Sequence, residues 1–339
     1  MKVASIEITI DGRERVAAPS ARRPDRRRLV VIVGKPTETN CALAAAFADL
    51  GQRAQLAATV PSRLGRGDLA LARLDVLPTL DGIEPGLWRL AALERRGVQV
   101  INGSLALFAA HDKLSTALFL GRAGVEQPRT AHVRAESVPT FPPPYVVKPR
   151  FGSWGREVYL CRDEAELRAR LARLRRRRWF RRHGALVQSL VEPTGRDLRV
   201  VVAGGRVVGA VERRARPGEW RTNVALGAVR RRANPPPAAR ALALRAAAAL
   251  GIDLAGVDIA GAETGRASVL EVNGAVDFNP TYAGDVFAAA AAALLERARE
   301  REWAAGSARQ PTRAPVVTPA NPLARPRAFA QPVSSDGPC

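Results

Sequence analysis

The stretch Gly256–Phe278, G-V-D-I-A-G-A-E-T-G-R-A-S-V-L-E-V-N-G-A-V-D-F, allows few arrangements. It reads as two short strands, Val257–Ala260 and Ser268–Val272, joined by a polar turn at Ala262–Arg266, because β-branched residues flank the turn and glycine punctuates it. Asp258 sits on the first strand; Glu271 and Asn273 sit on and just past the second. Alternate strand residues share a face, so Glu271 and Asn273 point the same way, and a hairpin brings Asp258 beside them. The three make either an ordinary polar sheet face or a site for a hard cation. Oxygen side chains among apolar neighbours are costly unless a cation fills the gap, and an all-oxygen set suits Mg²⁺ or Mn²⁺.

The 339 residues suffice for two or three compact units, and a hydrophobic fraction of 47% supports real cores. No run of eighteen apolar residues marks a membrane span. Met1–Val16 lacks an apolar signal core, so a cytoplasmic protein is expected. Cys41, Cys161 and Cys339 are too few and too far apart for a zinc pattern or a disulfide framework. The net charge of +21 comes almost wholly from arginine: of 53 basic residues only Lys2, Lys35, Lys113 and Lys148 are lysine. This bias makes the charge weak support for a nucleic-acid partner. It draws attention instead to the lysines: two of the four lie where a phosphate would need a compact point charge, and chance accounts for Lys2.

In chain order, a short strand over Val3–Ile10 precedes a basic segment, R-R-P-D-R-R-R at 22–28. Strands at Leu29–Val33, Ala54–Ala58, Leu74–Leu77 and Val98–Ile101 alternate with helices at Asn40–Leu50 and Glu84–Arg96, the pattern of a small parallel α/β domain. Gly34-Lys35-Pro36-Thr37 reads as a strand-to-helix turn, since the full phosphate-loop pattern is absent. His111–Gly124 is a helix with Lys113 near its start. Tyr145–Pro149 is a strand ending on Lys148, followed by F-G-S-W-G-R-E-V at 151–158 and a strand Glu157–Cys161. A lysine closing a strand beside a glycine-rich loop can hold phosphates, the charge from the side chain and the N–H groups from the loop. The basic helix Asp163–Arg182 reads as a solvated face with Trp179 and Phe180 turned to the core, in preference to an anion-binding patch. Ala185–Val191 is a strand, Asp197–Val202 and Arg206–Val211 a hairpin around Gly204-Gly205, and Pro235–Leu250 and Asp285–Glu302 are helices. The Pro-, Ala- and Arg-rich stretch beyond Ala304 has no periodicity and is expected to be disordered.

These pieces resemble the ATP-grasp superfamily and, within it, the RimK-type α-L-glutamate ligases. H-D-K-L (111–114), V-V-K (146–148), G-R-D-L-R-V-V-V-A-G-G-R-V-V-G-A-V-E-R-R-A (195–215), R-T-N (221–223) and A-G-V-D-I…L-E-V-N (255–273) carry the resemblance, in order and at compatible spacing. It implies an α/β and α+β fold, with a basic segment 1–28, an N-terminal α/β domain 29–110, a lid subdomain 111–185, a core subdomain 186–303 and a tail 304–339. By the resemblance, Lys113 and Lys148 contact ATP phosphates, and Gln188, Ser189 and Leu190 edge the adenine. Asp197 touches the nucleotide near the ribose, while Arg221, Thr222 and Asn223 stand at the phosphates and metal. Asp258, Glu271 and Asn273 bind Mg²⁺ or Mn²⁺. The implied chemistry is ADP-forming carboxylate–amine ligation through an acyl phosphate, adding glutamate or another amino acid to a peptide or small acid. The alternatives are an ATP- and Mg²⁺-binding module without ligase activity, or an amino-acid ligase acting on a cofactor or carrier. No membrane partner is implied, and a homo-oligomer stays open.

Two departures stand out. The family follows the asparagine with a His-Arg-Gly-Gly-like run, whereas here it is V-A-L-G-A-V (224–229). A cation near the transferred phosphate is then either missing or supplied by Arg213, Arg214 or Arg221, and Arg213, Arg221 and Asn223 are the expected catalytic groups. The A-S-P-G loop after the metal asparagine is here G-A-V-D-F-N-P-T-Y (274–282), so the acceptor is expected to differ from the ribosomal protein of the namesake.

Overall fold

A computed structural model of the protein describes residues 28–134, 137–191 and 193–307 together with a two-stranded backbone ribbon, β1 (Ile6–Glu7) and β2 (Arg15–Val16). The rest of the expected segment 1–28 and of the tail 304–339 lies outside the described residues. The chain forms two compact units, Met1–Glu300 and Arg301–Cys339.

The first sheet is parallel, in the order β4-β3-β5-β6. Its elements are β3 (Leu29–Val33), α1 (Glu38–Asp49), β4 (Arg53–Ala57), β5 (Leu69–Ala72), α2 (Leu87–Arg95) and β6 (Gln99–Ile101), followed by α3 (Ser104–His111) and α4 (Lys113–Arg122). Thr37 caps α1, its hydroxyl accepting from the Asn40 N–H at 3.2 Å, and Lys35 pairs with Glu84 at 2.6 Å. Gly34–Thr37 is therefore a strand-to-helix turn. The expected strand Leu74–Leu77 is a loop; the strand lies five residues earlier, where L-A-L-A is buried on both faces. The expected helix 111–124 is two helices, because Asp112 leaves the helical conformation to cap α4.

The second sheet is antiparallel, in the order β7-β10-β8-β9. It comprises β7 (Thr130–Val133), β8 (Tyr145–Pro149), β9 (Tyr159–Cys161), α5 (Glu164–Leu174), α6 (Arg178–His183) and β10 (Ala185–Ser189). The expected single helix 163–182 breaks between Leu174 and Arg178. Trp179 and Phe180 are buried, while Arg178 and Arg182 pair with Asp81 at 3.2 and 2.8 Å and Arg177 with Glu157 at 3.1 Å. The basic run is thus partly neutralised, with its aromatic side chains in the core.

The third sheet, antiparallel in the order β13-β12-β11-β14-β15, carries β11 (Arg196–Ala203), β12 (Arg206–Arg214), β13 (Val229–Arg232), α7 (Pro237–Leu250), β14 (Leu254–Ala260), β15 (Ser268–Asn273) and α8 (Val286–Ser307). Strand period two splits its side chains. Val200, Val202, Val257 and Ile259 pack with Ala243 and Ala246 of α7. Val201, Ala203 and Leu254 pack with Ala290 and Leu294 of α8 and with Ile32 and Leu71 of the first sheet. Asn102 fastens first and third sheets: its amide donates to Leu254 O (2.8 Å) and Gly274 O (3.0 Å), and its oxygen accepts from Asp253 N (3.1 Å) and Leu254 N (2.7 Å).

Candidate active site

A cleft lies between the second and third sheets, lined by Lys113, Lys148, Gln188, Asp197, Asp258 and Glu271 among others. Lys148 closes β8 and is buried, its ammonium 3.5 Å from Leu270 O. Burial pushes that ammonium down to about 8; Glu271 and Asp258 partly offset this, while neighbouring Lys113 adds to it. Lys113 opens α4 and is drawn to the same place by a chain of contacts. Asp112 caps the helix and grips Arg150 at 2.9 and 2.5 Å, and Lys113 N–H donates to Arg150 O at 3.1 Å. Burial opposes ionisation of Asp112, but the Arg150 guanidinium holds its carboxyl below the ordinary value. The Lys113 ammonium then reaches Glu271 (2.7 Å) and Gly152 O (2.5 Å). The two lysines expected at phosphates thus share one cleft.

Val146, Val158, Leu190 and Leu270 give that cleft an apolar wall. Gln188, Ser189 and Leu190 stand there; Gln188 donates to Thr130 Oγ1 at 2.9 Å, and Leu190 N–H to Pro144 O at 3.0 Å. An apolar slot edged by β10 suits a flat heterocycle.

The opposite wall is a buried chain of alternating charges. Arg213 grips Asp197 (2.8 and 2.5 Å) and reaches Asp258 (2.9 Å), Arg199 grips Asp258 (2.6 and 2.7 Å), and Thr222 donates to Asp197 at 2.6 Å. Burial disfavours ionised Asp258, yet the two guanidiniums outweigh it and hold the carboxyl at about 2. Burial also works against charged Arg213, but Asp258 and Asp197 keep it protonated. Arg199 was not among the expected site residues. Its alternation with Val200 on β11 puts it on the Asp258 face, and that signal was available in the sequence.

A β-bulge sets the hairpin geometry. Ile259 pairs with Val269 and Asp258 with Glu271, so Leu270 is the extra residue. Without it Asp258 would face Leu270, so the bulge puts Glu271 opposite Asp258. Asn273 lies opposite Gly256 and donates to its carbonyl at 3.3 Å, leaving its Oδ1 without a hydrogen bond among the described residues. Among the described residues no three His, Cys, Asp or Glu side chains cluster as a metal site. The available donors are two carboxylates and an amide oxygen, each carboxylate contacted by a cationic side chain. This donor set fits a hard divalent cation that takes its remaining ligands from phosphates and water.

Arg221 pairs with Glu219 at 3.0 and 2.9 Å and donates to Gly155 O and Val158 O at 3.3 and 3.4 Å. The Arg221 guanidinium holds the Glu219 carboxyl down to about 2. Arg221 therefore fastens the glycine-rich loop 151–158. Gly155 sits there at φ +71°, where a Cβ would lie 2.6 Å from Asn223 Oδ1. Trp154, at φ +64°, is 48% exposed, so it is not core filling.

A second cavity adjoins this cleft; Ser153, Arg213, Asn223 and Glu271 line both. Asn273 belongs to the second cavity, with Asp75, His111, Arg230 and Asp277, none of these last four expected from sequence. Burial pushes the His111 imidazole down to about 4, so it is neutral at pH 7, with Nε2 2.8 Å from Leu74 O.

Residues 110–291 match the family model of the RimK-like ATP-grasp domain. The chain belongs to the RimK-like ATP-grasp family. It is 34% identical over 212 residues to a protein of Citrobacter koseri named probable alpha-L-glutamate ligase, spanning 58% of this chain and 69% of that one. It is 33% identical over 171 residues to a protein of Sulfurisphaera tokodaii named glutamate–LysW ligase ArgX, covering 48% and 58%. The crystal structure of D-cycloserine synthetase DcsG superposes with a TM-score of 0.59 at 22% identity, over 79% of this chain and 99% of that one, and carries the fold alone. As a member of this family, the chain is an ATP-dependent, ADP-forming carbon–nitrogen ligase that joins a carboxylate to an amine through the ATP-grasp fold, and it uses a divalent metal. Among the described residues no helix is long and apolar enough to cross a membrane.

Proposed function

We propose that this ligase activates a substrate carboxylate in the cleft between its second and third sheets and joins it to the amine of an amino acid such as glutamate. The observation that carries the reading is the meeting of Lys113, Lys148, Asp258 and Glu271 in one cleft with an apolar slot. The adenine lies against Val146 and Leu190 beside Gln188 and Ser189, with Asp197 and Thr222 on the ribose side. Lys113 and Lys148 face the phosphates. Asp258, Glu271 and Asn273 hold Mg²⁺ or Mn²⁺, whose charge, when bound, offsets that of the phosphate oxygens.

The substrate carboxylate oxygen attacks the γ-phosphorus, the bond to the ADP oxygen breaks, and an acyl phosphate forms. The amine nitrogen then attacks the acyl carbon, phosphate leaves with its oxygen, and the amine proton passes to solvent. Lys148 and Lys113 stabilise charge on the transferred phosphoryl group. Loop 151–158, fastened by Arg221 and seated on Asn223, excludes water from the acyl phosphate. Arg213 acts through Asp197 and Asp258, which it orients. The sheets correspond on this reading to an N-terminal domain 29–110, a lid 111–185 and a core 186–303. The loop 274–282 borders the acceptor, which is a peptide or a small acid.

Hydroxylamine trapping tests this. Protein, ATP, Mg²⁺ and a panel of carboxylic acids and peptides are incubated with hydroxylamine. Stoichiometric ADP and hydroxamate support the acyl phosphate, and mass spectrometry names the acid. ADP without hydroxamate or amide for any acid would refute the route.

A further inference from the structure

The second cavity sorts its charged side chains by whether they are already satisfied. Arg213 lies between Asp197 and Asp258, and Arg199 is spent on Asp258. His111 carries no charge at pH 7. Arg230 differs. The ladder places it opposite Arg213 on the outermost strand β13, half-buried, and it lines the cavity. Its guanidinium makes no hydrogen bond or ion pair among the described residues. A half-buried guanidinium has lost part of its hydration with nothing in return, and a planar five-donor fork matches a carboxylate in two hydrogen bonds.

The same cavity has acidic groups too. Asp75 spends one oxygen on the Val76 N–H at 2.7 Å, and Asp277 stands 3.5 Å from Arg73. A ligand with an anionic end for Arg230 and a basic end for the acids matches this distribution. The cavity meets the nucleotide cleft at Glu271 and Asn223, where an amine would have to arrive to be ligated.

We propose that Arg230 is the carboxylate anchor for a free α-amino acid, the amine partner of the ligation, and so sets the class of that substrate. The proposal rests on the ligase reading above and deepens it. Arg230 lies outside the nucleotide cleft, so nucleotide binding is independent of it. It occupies no position of the V-A-L-G-A-V run (224–229) that stands in place of a His-Arg-Gly-Gly-like one, but follows immediately after it and brings a cation to the second cavity.

The test is calorimetric, with Mg²⁺ and a non-hydrolysable ATP analogue bound throughout. The twenty amino acids are screened by thermal shift, and the tightest is titrated against its own α-carboxamide, which keeps the shape and removes the charge. Wild type is expected to favour the acid by about 10- to 100-fold, the worth of a charge-assisted hydrogen-bond pair. Arg230→Gln is expected to lose that preference with unchanged affinity for the nucleotide analogue, and Arg230→Lys to keep part of it. Full preference in Arg230→Gln would overturn the assignment, as would a wild type that binds none of the twenty. Hydroxamate formation in the absence of any amino acid is read separately, so loss of the anchor and loss of the ligase reading are distinguishable.

Discussion

Lys148 combines burial with a required charge, and pH separates the two. Burial lowers its ammonium to about 8 in the nucleotide-free cleft, against ~10.4 for an exposed lysine. The neutral amine therefore dominates above that value, and the contact with a phosphate is lost as pH rises through it. One unit above the pKa only about one molecule in eleven is protonated, against about ten in eleven at pH 7, so the Kd for ADP should rise ~10-fold between pH 7 and pH 9, about 1.4 kcal/mol. Binding at pH 9 must return the proton, so calorimetry in buffers of different ionisation enthalpy should read an uptake of ~0.9 proton. Excess Mg²⁺ removes the titration of the nucleotide itself from this range. Lys148→Arg is the control, because a guanidinium stays charged across the window. It should bind more weakly at pH 7, its fork being unlike a compact ammonium, but with no pH slope. The same slope in Lys148→Arg as in wild type, or no proton uptake at pH 9, would refute the reasoning.

Asn102→Ala deletes four buried hydrogen bonds between the first and third sheets; urea unfolding should show a loss of about 2–4 kcal/mol. Gly155→Ala puts a Cβ 2.6 Å from Asn223 Oδ1 at φ +71°, adding about 1–2 kcal/mol of backbone strain, so the loop should lift and the KM for ATP rise with little change in Tm. Glu271→Gln keeps the shape and removes a carboxylate, and a metal titration of ADP release should show affinity weakened by at least the ~10–100-fold that loss of an outer-shell partner costs. Trp154 is 48% exposed at the loop tip; ATP with Mg²⁺ should change its emission, and Trp154→Phe should abolish that change, whereas equal hydrogen exchange of residues 151–157 with and without nucleotide would remove the loop from the mechanism.

The sequence made much of this architecture readable, and the parts it left unread have physical causes. Alternation and glycine punctuation located β3, β8, β10, the β11–β12 hairpin and the pair β14–β15 to within a few residues, because those strands bury at least one face. Leu69–Ala72 was missed in favour of Leu74–Leu77: both are short apolar runs, and only pairing to β3 and β6 distinguishes them. The Asp112 break was missed because an aspartate inside an apolar-periodic run reads equally as an interior or a capping residue until Arg150 comes within reach. The bulge at Leu270 has no composition signal, yet it puts Glu271 opposite Asp258.

Charge was the least readable property, because a formal count is not a local field. The chain carries +21, yet the three arginines expected to replace a missing cation are all engaged. Arg213 is held by Asp197 and Asp258, Arg214 by Glu212, and Arg221 by Glu219. Of these acids, Glu219 and Glu212 lie two residues from their arginines, so a sequence can suggest those pairs. Asp197 lies sixteen residues from Arg213, and Asp258 lies fifty-nine from Arg199; such pairings exist only once the strands have found their register. A guanidinium already matched by acids of its own chain offers a substrate carboxylate less than an unmatched one does. Register places Arg230 opposite an arginine rather than an acid, and among the described residues its guanidinium has no ion pair at the second cavity, where Arg199 and Arg213 are already held.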